Sequence, residues 1–212
     1  AAIIGKKEFM GLTLKVNEQV LIPRPDTETW LEKVIQYYRN ETGLKVADLG
    51  TGSGAILVGF LYYCRDAVGV GVDISTEALK IAEENGQNLK ITDRVEWRQG
   101  DYLKAFDEED IFDGIFSNPP YIPTKDIGGL SREVKHEPRL ALDGGTDGLY
   151  FYHLLAKGAA EHLKPGGFLA VEFGIGQATD ILEMFRKSAQ YEDFEVIKDY
   201  GGIERALYCR KK

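Results

Sequence analysis

Residues 44–64 read LKVADLGTGSGAILVGFLYYC, and the fold turns on how they are parsed. The first part, LKVADLG, reads as a strand. The second, SGAILVGFLYYC, reads as a helix that is apolar nearly all round. Gly50, Gly52 and Gly54 lie between them. Glycine lets the backbone turn tightly and lets a ligand approach the main chain. In an open α/β sheet, ligands bind beyond the carboxyl ends of strands, near the point where strand order reverses. One short segment therefore predicts both an architecture and the place of a site.

The same rhythm continues outward. AVGVGVD (67–73) is a strand, and STEALKIAEENGQNL (75–89) is a helix capped by Ser75. RVEWRQGD (94–101) and IFDGIFSN (111–118) are strands. GLYFYHLLAKGAAEHL (148–163) is a helix ended by Lys164-Pro165-Gly166-Gly167. FLAVEFG (168–174) is a strand, GQATDILEMFRKSA (176–189) a helix, and FEVIKDY (194–200) and RALYCR (205–210) are strands. Alternating strands and helices imply a doubly wound α/β fold, a parallel sheet with both faces covered. Ahead of this array, residues 6–22 alternate loosely and predict a short β-hairpin. PRPDTETWLEKVIQYY (23–38) opens a helix with Asp26 or Thr27 as its cap and an apolar stripe of Trp30, Leu31, Val34, Ile35 and Tyr38. Residues 122–147 break the pattern. They hold four glycines and two prolines with little periodicity, and connections this long are usually functional or disordered.

Composition narrows the function classes. The chain has 212 residues, 43% apolar and 28% charged, the mix of a soluble globular domain able to bury a core without disulfides or metal. Cys64 and Cys209 are the only cysteines and lack C-x-x-C spacing, which fits a reduced, cytoplasmic setting. No apolar run approaches the ~20 residues of a membrane span, and no signal peptide is evident. Formal net charge is −8, with basic residues scattered. That balance argues against nucleic acid as a direct partner. His136, His153 and His162 form no ligand set with metal spacing. Ala1 stands where a methionine would start a chain, so the sequence reads as a processed product or a fragment.

The ends of the strands carry the candidate chemistry. Asp73, nineteen residues after Gly54, can accept hydrogen bonds from two ribose hydroxyls. Asp101 can accept from an adenine amino group, and Tyr102 can pack on its face. Gly50-x-Gly52-x-x-Ala55 also satisfies a dinucleotide pattern, and the bland reading is a tight strand–helix turn. Asp48 sits badly beside a pyrophosphate and well beside an ammonium or sulfonium, both of which S-adenosylmethionine carries. FSNPPY (116–121) then ends a core strand with two prolines that cannot donate to a ladder. Its bland reading is a rigid turn.

Asp48-Leu49-Gly50-Thr51-Gly52-Ser53-Gly54, Asp73 and Asn118-Pro119-Pro120-Tyr121, in that order, resemble the class I S-adenosylmethionine-dependent methyltransferases. With LIPRPDTE (21–28), HEPRLAL (136–142), DGLYFY (147–152) and DYGGIERAL (199–207), the chain looks like the HemK/PrmC family of peptide chain release factor glutamine N5-methyltransferases. The resemblance covers nearly the whole chain. It implies a Rossmann-like, seven-stranded, mostly parallel sheet with the last strand antiparallel. It implies an N-terminal hairpin and remnant linker over 1–25 and a methyltransferase domain over 26–212; family members usually carry a helical domain ahead of GKKEFMGL, and this sequence holds almost none of it, truncated or lost. S-adenosyl-L-methionine would be bound by Gly50, Thr51, Gly52, Ser53, Gly54, Asp73, Asp101, Tyr102 and Asn118, leaving S-adenosylhomocysteine as product. The family commonly has an aromatic, often Trp, where Tyr102 stands. The LIPRPDTE segment would cover the methionine end of the cofactor.

The substrate implied is a glutamine side chain in a release factor, within a Gly-Gly-Gln tripeptide, modified by a monomeric enzyme. Asn118, Pro119, Pro120 and Tyr121 would bind it, and Asn118, Pro119 and Tyr121 would serve catalysis. The Asn118 side-chain oxygen accepts one amide hydrogen and the Pro119 carbonyl the other. Tyr121 lies over the planar amide. Rival readings are methylation of adenine or guanine in DNA or RNA, a nicotinamide-dependent dehydrogenase, and a non-catalytic cofactor-binding protein. Glu172 reads equally as structural or functional, and Tyr150, Phe151 and Tyr152 read as core.

Overall fold

The computed structural model describes residues 5–212 and opens with a hairpin, β1 (Lys6–Phe9) antiparallel to β2 (Leu12–Lys15). Then follow α1 (Pro25–Tyr38), β3 (Lys45–Leu49), α2 (Ala55–Tyr63), β4 (Val68–Asp73), α3 (Thr76–Asn88), β5 (Val95–Gln99) and β6 (Phe112–Ser117). The chain ends with α4 (Tyr150–Gly158), β7 (Leu163–Glu172), α5 (Ala178–Lys187), β8 (Tyr191–Lys198) and β9 (Glu204–Lys211). Seven strands form one sheet in the order β5-β4-β3-β6-β7-β9-β8, and β9 is antiparallel to both its neighbours. The expected doubly wound, mostly parallel sheet is present, with the hairpin beside it.

Strand order reverses between β3 and β6, which run parallel with Leu49 opposite Ser117. The glycine loop after Leu49 and the proline turn after Ser117 therefore leave the sheet side by side. Period-2 alternation sends Val46, Phe116, Phe168 and Tyr208 to one face with α1 and α2. Ala47, Leu49, Ile115, Leu169 and Leu207 go to the other with α4 and α5. Burying each large apolar side chain contributes roughly 1.5–3 kcal/mol. The hairpin joins the first face through buried Phe9, Leu12 and Leu14.

Three local readings need correction or trimming. Helix α1 has no side-chain cap. Pro25 starts it with a preset φ, while Thr27 and Asp26 turn to Glu172 and Arg205. Helix α4 ends at Gly158, and Lys164 to Gly167 lie inside β7, where pairing with β6 shifts register between Phe112 and Gly114. Of the three aromatics read as core, only Tyr152 is fully buried; Phe151 is partly buried and Tyr150 is exposed. The Ser75 cap is formed, its Oγ accepting from Ala78 N–H at 3.2 Å. Cys64 and Cys209 are buried and unpaired. Among the described residues, no helix is long and apolar enough to cross a membrane.

A glycine in β6 sets the sheet-to-ring distance: a Cβ on Gly114 would lie 2.1 Å from the Phe168 ring. Gly114→Ala should destabilise the chain by about 1–3 kcal/mol through overpacking. Gly128→Ala, where a Cβ meets nothing within 4 Å, should stay within about 0.5 kcal/mol of the parent. Urea denaturation of both variants checks the contrast.

Candidate active site

The loop after β3 is shaped by glycines with left-handed φ: 70° at Gly50, 56° at Gly52 and 79° at Gly54. Gly52 faces open space, since a Cβ there would meet nothing within 4 Å. Its N–H donates to Asp73 Oδ2 at 2.8 Å, and Ser75 N–H donates to Oδ1 at 2.9 Å. A carboxylate offers roughly four acceptor sites, so Asp73 keeps capacity for a ligand. Beneath the loop, Asp48 is 1% exposed. The Thr51 hydroxyl donates to Asp48 Oδ2 at 2.7 Å. Asp48 Oδ1 is the one buried side-chain oxygen without a partner among the described residues. Burial, reinforced by the nearby Asp73 charge and opposed by Thr51, pushes the Asp48 carboxyl up to about 7.

Beside that loop, the turn Asn118–Tyr121 is held by backbone that has no side chains. Cβ atoms on Gly144 would come within 2.8 Å of the Pro120 carbonyl oxygen, and on Gly148 within 2.4 Å of the Tyr121 oxygen. A Cβ on Gly174 would lie 3.0 Å from the Tyr121 ring. Gln177 Nε2 donates to the Tyr121 carbonyl at 3.0 Å, while its Oε1 accepts from Gly174 N–H. The segment that broke the sequence rhythm is tied to the same turn. Ile122 N–H donates to Leu142 O at 3.1 Å, Gly144 N–H to Ile122 O at 2.8 Å, and Thr124 N–H to Gly145 O at 2.9 Å. No hydrogen bond of the described residues ends on the Pro119 carbonyl.

A cavity of about 380 Å³ lies between loop and turn. Gly50, Thr51, Gly52, Ser53, Asp73, Asp101, Tyr102, Asn118 and Pro120 line it. Gly54 caps α2 just behind, packed near Trp97 and Ala82. Pro119 is buried and Tyr121 partly buried; neither is part of the lining. Burial first, then the Glu172 charge, pushes the Tyr121 phenol up to about 12, so it stays protonated at neutral pH. Tyr102 holds a φ of 56°, rare outside glycine. Its hydroxyl bonds to Ser117 Oγ, and its ring tilts against Phe151 at 4.9 Å. Asp101 is largely exposed and pairs with Lys104 at 2.7 Å.

Several lining residues escaped the sequence reading. Phe151 was assigned to the core because its helical spacing resembles a packing stripe, yet it reaches the cavity. Pro138, Leu140 and Ala141 belong to HEPRLAL, which carries no chemistry on its face. Leu21, Pro23 and Thr27 also line it, and they come from LIPRPDTE, the segment that the family resemblance already sets over the methionine end of the cofactor. Thr27 Oγ1 and Trp30 Nε1 both donate to Glu172 Oε2, at 2.6 and 2.7 Å. Burial raises the Glu172 carboxyl against the pull of those two donors.

The lining includes two carboxylates and, among the described residues, no Lys, Arg or His. A pyrophosphate would meet negative charge without a cation. A phosphate-free nucleoside carrying positive charge fits this donor set. Its ribose would find Asp73, and its approach to the main chain is left open at Gly52.

Comparison with known proteins agrees with this chemistry. The methyltransferase-domain family matches residues 40–172. The release factor glutamine methyltransferase of Bradyrhizobium diazoefficiens is 44% identical, over 100% of this chain and 72% of that protein. That of Moorella thermoacetica is 41% identical, over 99% and 74%. Among solved structures, a Pyrococcus furiosus methyltransferase matches with a TM-score of 0.68 at 21% identity, covering 95% of this chain and 89% of the other. A Salinibacter ruber RNA methyltransferase, solved with S-adenosyl-L-homocysteine, matches at 0.55 and 18%, covering 90% and 94%. At these identities the structures speak to the fold alone.

Asp48 gives the site a pH signature. Folded, it keeps its proton up to about pH 7; unfolded, it releases it near 3.8. Between those values folding binds a proton, so stability falls as pH rises from about 4 to about 7. Asp48→Asn should flatten that slope and stabilise the chain at pH 7.5 by roughly 1 kcal/mol or more. Urea midpoints measured from pH 4.5 to 7.5 check it, and parallel curves for the two proteins would exclude a proton uptake at Asp48.

Proposed function

We propose, for a chain that belongs to the release factor glutamine methyltransferase family, that the cavity holds S-adenosylmethionine and the Asn118–Tyr121 turn presents a glutamine amide beside it. The chain is an S-adenosylmethionine-dependent protein-glutamine methyltransferase acting on a peptide chain release factor. When bound, S-adenosylmethionine supplies an activated methyl group on a positively charged sulfur. The observation that carries the site assignment is the convergence of Gly50, Gly52, Asp73, Asn118 and Pro120 on one cavity whose lining, among the described residues, holds no cationic side chain.

In this reading Asp73 accepts from the ribose hydroxyls, and the glycine loop lets the nucleoside lie against the main chain. Asp101 and Tyr102 border the base. A carboxamide nitrogen is a poor nucleophile because its lone pair is delocalised into the carbonyl. Asn118 Oδ1 accepts one of its hydrogens and the Pro119 carbonyl, which no protein donor occupies, accepts the other. Both acceptors are neutral, each bond contributing roughly 0.5–1.5 kcal/mol net. Together they orient the nitrogen and favour the positive charge that develops on it. Fixing two reactants in line contributes on the order of 7–11 kcal/mol. Tyr121 keeps its proton and packs near the amide plane as a wall. We place the target glutamine in the Gly-Gly-Gln tripeptide. We read the enzyme as a cytoplasmic monomer with its methyltransferase domain over residues 26–212.

With labelled S-adenosylmethionine, the protein should methylate release factor and leave DNA and RNA unlabelled. Asn118→Ala should lower the rate roughly 10²-fold, the scale of losing one preorganised polar group at a reacting centre. Binding of S-adenosylhomocysteine should change far less in that variant than in Asp73→Ala. Label entering nucleic acid but not protein would reverse the substrate assignment.

A further inference from the structure

Two segments remote in sequence meet over the cavity. Leu21 and Pro23 line it from one, and Pro138, Leu140 and Ala141 from the other. Between them stands Glu137, a carboxylate only 8% exposed although its neighbours Lys135, His136 and Arg139 are solvated. It accepts from the Ile22 main-chain N–H at 3.3 Å and forms an ion pair with the Arg24 guanidinium. Residues 19–24 have no regular secondary structure of their own. Their far end is fixed where Thr27 and Trp30 donate to Glu172. Just before that anchor, Ile22 and Arg24 are tied to residues 137–141 through Glu137.

We infer that Glu137 is a positioning residue for methyl transfer: through Ile22 and Arg24 it locks residues 19–24 against residues 137–141 as a two-piece roof over the cavity. The inference rests on the cofactor reading above. A roof built this way holds apolar Leu21, Pro23, Pro138 and Leu140 over the site and keeps water out, which strengthens every polar contact beneath it. A buried carboxylate is costly unless it is paired and hydrogen-bonded, and burial does raise the Glu137 carboxyl against the Arg24 charge. The pair joins two segments that line the cavity rather than two elements of the core. Its closure therefore bears on ligand retention more than on the fold.

Glu137→Gln keeps an acceptor for Ile22 N–H and removes the charge that holds Arg24. Hydrogen exchange of the ligand-free protein should show residues 20–24 and 138–142 exchanging roughly tenfold faster in this variant, with β3 and β4 unchanged. The Kd for S-adenosylhomocysteine should rise roughly tenfold, the scale of one lost hydrogen bond to a charged group. The KM for S-adenosylmethionine should rise more than kcat falls. Arg24→Lys, which keeps the cation, should stand between the parent and Arg24→Ala in both exchange and affinity. Exchange and affinity in Glu137→Gln equal to the parent would overturn the roof, as would loss of protection spreading into β3 and β4. A parent protein that binds no S-adenosylhomocysteine would overturn the cofactor reading and the positioning role with it.

Discussion

The site depends on a turn that cannot relax. Pro119 and Pro120 fix their own φ, and the chain around them is packed so closely that Gly144 and Gly148 have no room for a Cβ, while one on Gly174 would crowd the Tyr121 ring. Gln177 closes the last side by bonding the Tyr121 carbonyl. Acceptors on such a turn need little reorganisation when a substrate arrives. In the proposed reaction, that is the use of a rigid, donor-poor tetrapeptide at the end of a core strand. The long segment that follows it is therefore part of the turn's support, with Leu142, Gly144 and Gly145 near its far end stitched back to Ile122 and Thr124.

Charge does complementary work on the cofactor side. Asp48, Asp73 and Asp101 surround a loop that in a dinucleotide enzyme would meet pyrophosphate. Burial leaves Asp48 about half protonated near pH 7, so the loop is not left over a full negative charge. Asp73 is different: its two backbone donors hold it in place while burial raises it. The outcome is a pocket with hydrogen-bond acceptors and, among the described residues, no Lys, Arg or His in its lining. The same logic of paired burial runs through Glu172, which anchors α1 to the end of β7 through Thr27 and Trp30.

The architecture was legible in the residues because each strand end carried its own marker. The glycines after Leu49, the carboxylate of Asp73 and the prolines after Asn118 all sit at carboxyl ends, and parallel pairing of β3 with β6 brings them together. What the sequence hid followed from long-range partners. Asp26 and Thr27 look like helix caps until Arg205 and Glu172, far along the chain, claim their side chains. Lys164-Pro165-Gly166-Gly167 reads as a helix stop, but the register shift with β6 absorbs it into a strand. Phe151 has the spacing of a core residue, and only the position of α4 against Tyr102 turns it toward the cavity. Glu137 gave no local signal at all, since its partners Ile22 and Arg24 lie more than a hundred residues away.

The central claim is that a neutral amide nitrogen is gripped by the Asn118 side chain and the Pro119 carbonyl next to a cavity that takes S-adenosylmethionine. A crystal structure with S-adenosylhomocysteine and a glutamine-containing release factor peptide tests it most directly. The account predicts the glutamine side-chain nitrogen at about 2.7–3.2 Å from both Asn118 Oδ1 and the Pro119 oxygen, with the sulfur on its open side. A glutamine held elsewhere, with Asn118 turned from it, would contradict the account.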